Sequence, residues 1–139
     1  MIVVVLAVIL AAFAPWGVDA DGVTVTGWAG HIMLWDQAAP NWILPAAAVG
    51  SLLIALCHAN FGGGATPEVA MVLSGYGLVH LGLAGWRLQR TGSLSWGIPV
   101  MACLFVALLW RVIVFARAVA AREAARAAAR EAGAGEPGE

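Results

Sequence analysis

Apolar positions in this chain come in long uninterrupted runs. No Asp, Glu, Lys or Arg occurs before Asp19, and none occurs between Asp36 and Glu68, between Glu68 and Arg87, or between Arg90 and Arg111. A charge at the centre of a bilayer costs at least about 2.5–3.5 kcal/mol on insertion scales, so runs that exclude charge over such lengths predict membrane spans. About 20 apolar residues cover a hydrocarbon core. The runs predict four transmembrane helices, at about 1–16, 42–60, 68–87 and 94–117. The last is expected to continue into water to about 132 as an Ala/Arg/Glu helix of high propensity. Residues 133–139 then form a frayed tail. The expected fold is an all-α membrane protein, one four-transmembrane-helix bundle spanning 1–132, with a short β-hairpin and an interfacial helix in its first loop.

The punctuation of the runs refines this outline. Pro15-Trp16 closes the first run, which is short for a span. It lacks the basic flank of a signal peptide, so a retained helix is expected, although Val18-Asp19-Ala20 offers a small-residue cleavage site. Asp21-Gly22 between β-branched residues predicts a hairpin over Val18 to Thr26. Trp28, Ile32 and Trp35 fall at i, i+4, i+7, which predicts an interfacial helix from Gly27 to Ala39, ended by Pro40. Pro45 and Pro99 fall near the starts of the second and fourth spans, where a missing N–H is harmless. Thr66-Pro67 has the pattern of a helix cap and first-turn residue.

Small residues mark where helices are expected to touch. Ala47, Ser51 and Ala55 recur every fourth position in the second span. Gly75 and Gly82 lie one heptad apart in the third span, and Gly77 and Ala84 repeat that spacing on an adjacent face. Such seams let transmembrane backbones approach closely.

Composition agrees with the pattern. The chain is 62% hydrophobic and 11% charged, against about 25% charged in soluble domains. A water-soluble fold of 139 residues could not hide so much apolar surface. The net charge of −1 gives no reason to expect a nucleic-acid partner; the expected partners are the lipid bilayer and other membrane subunits, or a second copy of the chain. All seven basic residues are Arg, and with the abundant Ala and Gly this suggests a GC-rich bacterial genome, hence a bacterial inner (plasma) membrane. Cys57 and Cys103 lie in apolar runs without metal-type spacing and are expected to be small buried hydrophobes.

Charge also orients the chain. Arg117, Arg122, Arg126 and Arg130 follow the fourth span, while the first loop holds Asp19, Asp21 and Asp36 and no basic residue. By the positive-inside rule both termini face the cytoplasm, with Arg87 and Arg90 outnumbered on the other side. Arg117, Arg122, Arg126 and Arg130 are expected to touch anionic lipid or a partner, the last three as an i, i+4 stripe. Trp16, Trp28, Trp35, Trp42, Trp86 and Trp96 would then anchor the outer interface, leaving Trp110 toward the inner one.

Candidate chemistry centres on His80, about six residues and so roughly 9 Å inside Trp86. Ionisable groups at membrane depth are functional candidates by default. Three roles fit: a neutral His hydrogen-bonded to a neighbouring helix, a haem, pigment or metal ligand, or a proton- or substrate-handling group. Tyr76 shares its face and is the second candidate for cofactor binding; Cys103 falls at similar depth. His58, near the inner end of its span, is too far from His80 for a shared haem. His31 and Asp36 form a weak surface metal pair.

No catalytic set, dedicated metal site or required cofactor is apparent. The nucleotide loop, zinc motif, paired carboxylates at depth and internal repeats of transporters are missing from the sequence. The expected function is a non-catalytic accessory or assembly subunit of a larger membrane complex. The alternatives are a cofactor- or lipid-binding protein centred on His80, and an oligomeric small transporter, channel or membrane enzyme.

Overall fold

The computed structural model describes residues 1–34, 37–61 and 67–134. Four helices form: α1 (Ile2–Ala11), α2 (Ile43–Phe61), α3 (Pro67–Thr91) and α4 (Gly97–Ala134). Short strands connect them: β1 (Pro15–Val18), β2 (Thr24–Thr26), β3 (His31–Leu34), β4 (Gln37–Pro40) and β5 (Ser93–Leu94). Three helices, α2, α3 and α4, are long and apolar enough to cross a membrane. At 1.5 Å per residue, α4 runs for about 57 Å, well past a hydrocarbon core of about 30 Å. Its Ala/Arg/Glu half reaches beyond the bundle, as propensity predicts.

The first helix is shorter than expected. It has 10 residues, about 15 Å, or half a hydrocarbon core. Turn bonds from Phe13 N–H to Leu10 O and from Ala14 N–H to Ala11 O end it. Pro15 then lacks an N–H and disfavours helical geometry at the residue before it. The loop reaches the helix end instead: Gly27 N–H donates to Ala12 O at 2.8 Å. A Cβ on Gly27 would lie 2.8 Å from Ala12 Cα, so a glycine is needed for this closure.

The loop contains more β structure than its sequence suggests. A three-stranded antiparallel sheet has the order β2-β1-β5, with Gly17 opposite Val25 on one side and Leu94 on the other. The hairpin expected at Asp21-Gly22 is its first half. Asp19 Oδ1 accepts from Asp21 N–H and Val23 N–H, and Gly22 takes φ +77°. The interfacial helix expected over Gly27 to Ala39 does not form. Residues 31–34 and 37–40 pair as a second hairpin, from His31↔Pro40 to Leu34↔Gln37. Gly30 at φ +100° breaks any helix there, and an apolar repeat of two turns is too short to hold one against strand pairing. The fold is therefore mostly helical with small sheets, not all-α.

α3 lies between α2 and α4, and α1 packs on α4 and α2. The core joins Val5 and Val8 of α1, Leu44 and Ala48 of α2, Leu81 and Leu88 of α3, and Met101, Phe105 and Leu108 of α4. Ala47, Ser51 and Ala55 are buried in the bundle, as their spacing suggests. Gly77 is buried too, and a Cβ there would collide with the Phe105 ring. Among the described residues, no neighbouring helix packs on Gly75 or Gly82: a Cβ at either meets nothing within 4 Å. Cys57 and Cys103 are exposed on the helix surfaces, not buried. An apolar run in a membrane protein fills lipid-facing and inward positions alike, so a hydrophobic context alone misplaced all four residues.

Candidate functional site

Buried polar side chains are few among the described residues, and they meet in two pairs, Asn41 with His80 and Ser51 with Ser74. Asn41, Ser51, Ser74 and His80 are each inaccessible. His80 sits on α3 about 16 Å before its end at Thr91, and Tyr76 precedes it by one turn. Their rings lie 5.9 Å apart. Tyr76 Oη is 3.5 Å from His80 Nδ1, and His80 Nε2 is 3.3 Å from Asn41 Oδ1. Asn41, just ahead of α2, donates through Nδ2 to Thr26 O at 2.9 Å and to Ala29 O at 3.2 Å.

The carbonyls fix the direction of every bond in this chain. Thr26 O and Ala29 O can only accept, so the Asn41 NH₂ faces them and its carbonyl faces His80. His80 must then donate from Nε2. Its Nδ1 is left as the acceptor, and the Tyr76 hydroxyl donates to it. One neutral tautomer satisfies both ring nitrogens. The network runs from Tyr76 through His80 and Asn41 into the loop between β2 and β3.

Local structure prepares the receiving carbonyls. Thr26 Oγ1 accepts from Trp28 N–H and Ala29 N–H, which curls residues 26–29 into a turn. Asn41 N–H donates to Gly30 O, closing the second hairpin onto the same turn. The site is thus a latch that holds the loop to the bundle. A second polar pair lies elsewhere on the α2–α3 seam: Ser51 and Ser74 Oγ atoms are 3.4 Å apart, and each bonds a carbonyl one turn back on its own helix.

Other candidates fall in different places. Cys103 is exposed whereas His80 is buried, so the structure does not bring the two together. His31 is exposed at the start of β3, and Asp36 lies outside the described residues. Among the described residues, no group of three or more His, Cys, Asp or Glu could hold a metal ion. Trp28, Trp42, Trp86 and Trp96 are exposed around the sheet-bearing end of the bundle. Arg90, in the last turn of α3, stacks its guanidinium 4.4 Å above the Trp86 ring one turn earlier. Trp16, expected as an anchor, is fully buried instead. It sits at the irregular register between Pro15 and Gly17, where β1 turns it inward, and its backbone O accepts from Ser95 N–H. Trp35 lies outside the described residues. Arg117, Arg122 and Arg126 are exposed along α4, and Arg130 with them.

Cavities border the bundle along its length, two of them apolar and adjoining at Ala46 and Gly50. An apolar groove of about 550 Å³ runs between α2 and α3 past Ala46, Gly50, Val72 and Tyr76. A second apolar one, about 370 Å³, lies beside Trp28, Trp42 and Gly50. A polar cavity of about 260 Å³ opens at the other end of the bundle, beside His58, Asn60, Arg122 and Arg126. Asn41 is the member that sequence reasoning missed. Its position between Pro40 and the apolar run of α2 resembles a loop residue, and only the depth to which the loop descends makes it buried.

Compared with known proteins, the chain matches no protein-family model, no curated protein and no solved structure.

Proposed function

We propose that this chain is a non-catalytic membrane subunit that assembles with a transmembrane helix of another subunit through the outward face of α3. The observation that carries this reading is the open space at Gly75 and Gly82. They alternate with Val72, Val79 and Trp86 at 3-4-3-4 spacing, and those three side chains are 69%, 60% and 56% exposed. A stripe of this period suits left-handed helix pairing, and glycine lets the second backbone come close.

The latch supports the same reading. Its histidine and tyrosine are engaged with protein partners, so binding a pigment or metal at His80 would require breaking the bond to Asn41 or to Tyr76. A structural role uses both ring nitrogens as they stand.

In this reading the chain crosses a bacterial plasma membrane four times. α1 supplies about half of the first crossing, and the turn from Ala12 to Ala14 leads it toward the sheet, where Trp16 and Gly17 are covered by protein. The positive charge of Arg117, Arg122, Arg126 and Arg130 supports cytoplasmic termini, with the sheets and exposed tryptophans then toward the outer interface.

Purification in mild detergent tests the reading. The wild-type chain is expected to run with a partner or as an oligomer. Gly75→Leu/Gly82→Leu is expected to run as a monomer with an unchanged melting temperature. A wild-type chain that is monodisperse, monomeric and free of co-purifying protein would remove the proposal.

A further inference from the structure

At the end of the bundle away from the sheets, α2 finishes beside the middle of α4. The cavity of about 260 Å³ there is lined by His58, Asn60, Phe115, Arg122, Glu123 and Arg126 among others. Its level is set by composition. Below it α2 is apolar through Cys57, and α4 carries Val112, Ile113, Val114 and Phe115; above it α4 is Ala, Arg and Glu. Both helices change from apolar to polar at this cavity, the change expected where hydrocarbon meets headgroups.

The lining groups have unused capacity. The His58 ring stands edge-on to Phe115 at 6.0 Å. Its Nδ1 is buried and has no hydrogen-bond partner among the described residues, a condition that calls for a group to occupy it. Asn60 Nδ2 donates to Leu56 O at 2.8 Å, which uses one of its two N–H bonds. Arg122 and Arg126, one turn apart, offer guanidinium forks that suit phosphate oxygens. Glu123 adds an acceptor, so the cavity also suits hydroxyl donors beside the phosphate.

We infer that this cavity binds the headgroup of a hydroxyl-bearing anionic phospholipid, its phosphodiester on Arg122, Arg126 and His58 and its hydroxyls toward Glu123. The acyl chains would extend along the apolar surface of α2 and α4 on the membrane side. This goes beyond assembly through α3, which is on another face, and the two fail independently. The arginine stripe acquires a specific role for two of its members, fixed by the cavity and not by charge alone.

Mass spectrometry of the intact protein released from mild detergent tests it, with phosphatidylglycerol and phosphatidylcholine added at equal concentration. One phosphatidylglycerol adduct per chain is expected, in preference to phosphatidylcholine. Arg122→Gln and Arg126→Gln should each weaken it about fivefold, and the double variant about twenty-five-fold, the effect expected of basic residues near an anionic headgroup. His58→Phe keeps an aromatic edge against Phe115 and should weaken it about fivefold through loss of Nδ1. Arg117→Gln removes a charge nearer the membrane without touching the cavity, and should leave the adduct unchanged. Helix content measured by circular dichroism should be equal in all variants, since the arginines are exposed on α4. Equal adducts with both lipids would overturn the inference. So would an Arg117→Gln loss as large as that of Arg122→Gln, since plain surface charge would then suffice. Displacement of the adduct by an equal concentration of free glycerol phosphate would overturn the lipid assignment and give the cavity to a soluble phosphate ester.

Discussion

The two faces of α3 carry the same spacing and meet opposite surroundings. Inward, Ala70, Ser74, Gly77, Leu81, Ala84 and Leu88 follow a 4-3-4-3-4 pattern, and all are buried. Outward, Val72, Gly75, Val79, Gly82 and Trp86 follow a 3-4-3-4 pattern, and no described residue fills the space at the glycines. Both stripes are apolar, both contain glycine, and either could seat a helix. In water the exposed one would be polar. In lipid, tails are as apolar as leucine, so hydrophobicity no longer separates a packed face from a bare one. Polar residues do: Ser74 and His80 point inward, where they find partners.

The largest expected effect contrasts one glycine from each face. Gly77→Leu drives a side chain into the Phe105 ring, itself fully buried. Overpacking of this size should cost at least about 3 kcal/mol. Gly82→Leu places the same side chain in open space, and the isolated chain should melt as the wild type does. Thermal unfolding in detergent of the two variants side by side is the measurement. Equal losses would mean that the two faces do not differ as described.

Next comes the latch, which only the inner side of α3 possesses. Asn41→Ala removes the partner of His80 Nε2–H and the amide donor to Thr26 O, while Ala29 O keeps its bond from Thr26 N–H, a loss of about 2–4 kcal/mol. Asn41→Asp is close in shape but cannot donate to the two carbonyls, so it should not restore stability. Limited proteolysis between β2 and β3 should also quicken in both variants, because the loop loses its hold on α3. An Asn41→Asp chain as stable as wild type would show that the amide donors are dispensable.

How far these features were legible follows from the same contrast. The three long spans follow from absent charge, a strong signal because lipid penalises charge so heavily. Ala47, Ser51 and Ala55 were also readable, since a polar serine in a small-residue seam needs a protein partner. The short hairpin was visible in Asp21-Gly22, whose turn chemistry is local. The loop beyond it was not: Trp28, Ile32 and Trp35 imitate a helical period over too few residues, while Gly30 imposes a conformation that no helix tolerates. α1 was overextended because Ala12 to Trp16 stays apolar past the point where Pro15 ends the helix. His80 stood out by its depth, but its partner Asn41 did not, for nothing in the sequence says how far a loop descends. At Gly75 and Gly82 spacing predicts contact with a helix without naming the neighbour, and no described residue of the chain supplies it.

A smaller effect tests the polar mark of the inner face. Ser74 Oγ bonds Ala70 O at 2.9 Å and lies 3.4 Å from Ser51 Oγ. Ser74→Ala leaves Ser51 with its own bond to Ala47 O, so neither hydroxyl is stranded and the loss should be about 1 kcal/mol or less. Ser74→Leu should instead cost several times more, because the seam has no room for it. A double-mutant cycle with Ser51→Ala measures what the pair itself contributes, and a coupling near zero would make the seam a matter of size alone.

The smallest effect belongs to the outer face and is the most informative for it. Gly75→Ala adds one methyl where nothing lies within 4 Å and removes a residue that costs a helix about 1 kcal/mol relative to alanine in water. The isolated chain should therefore be no less stable, and slightly more so if that preference persists in detergent. Association should respond the other way, because a methyl at the seam pushes a docked backbone outward. A variant that melts at or above the wild-type temperature and yet co-purifies less partner would separate the two uses of glycine on α3. If Gly75→Ala lowers both together, the outer face serves the fold after all, and its resemblance to the inner one is the simpler kind.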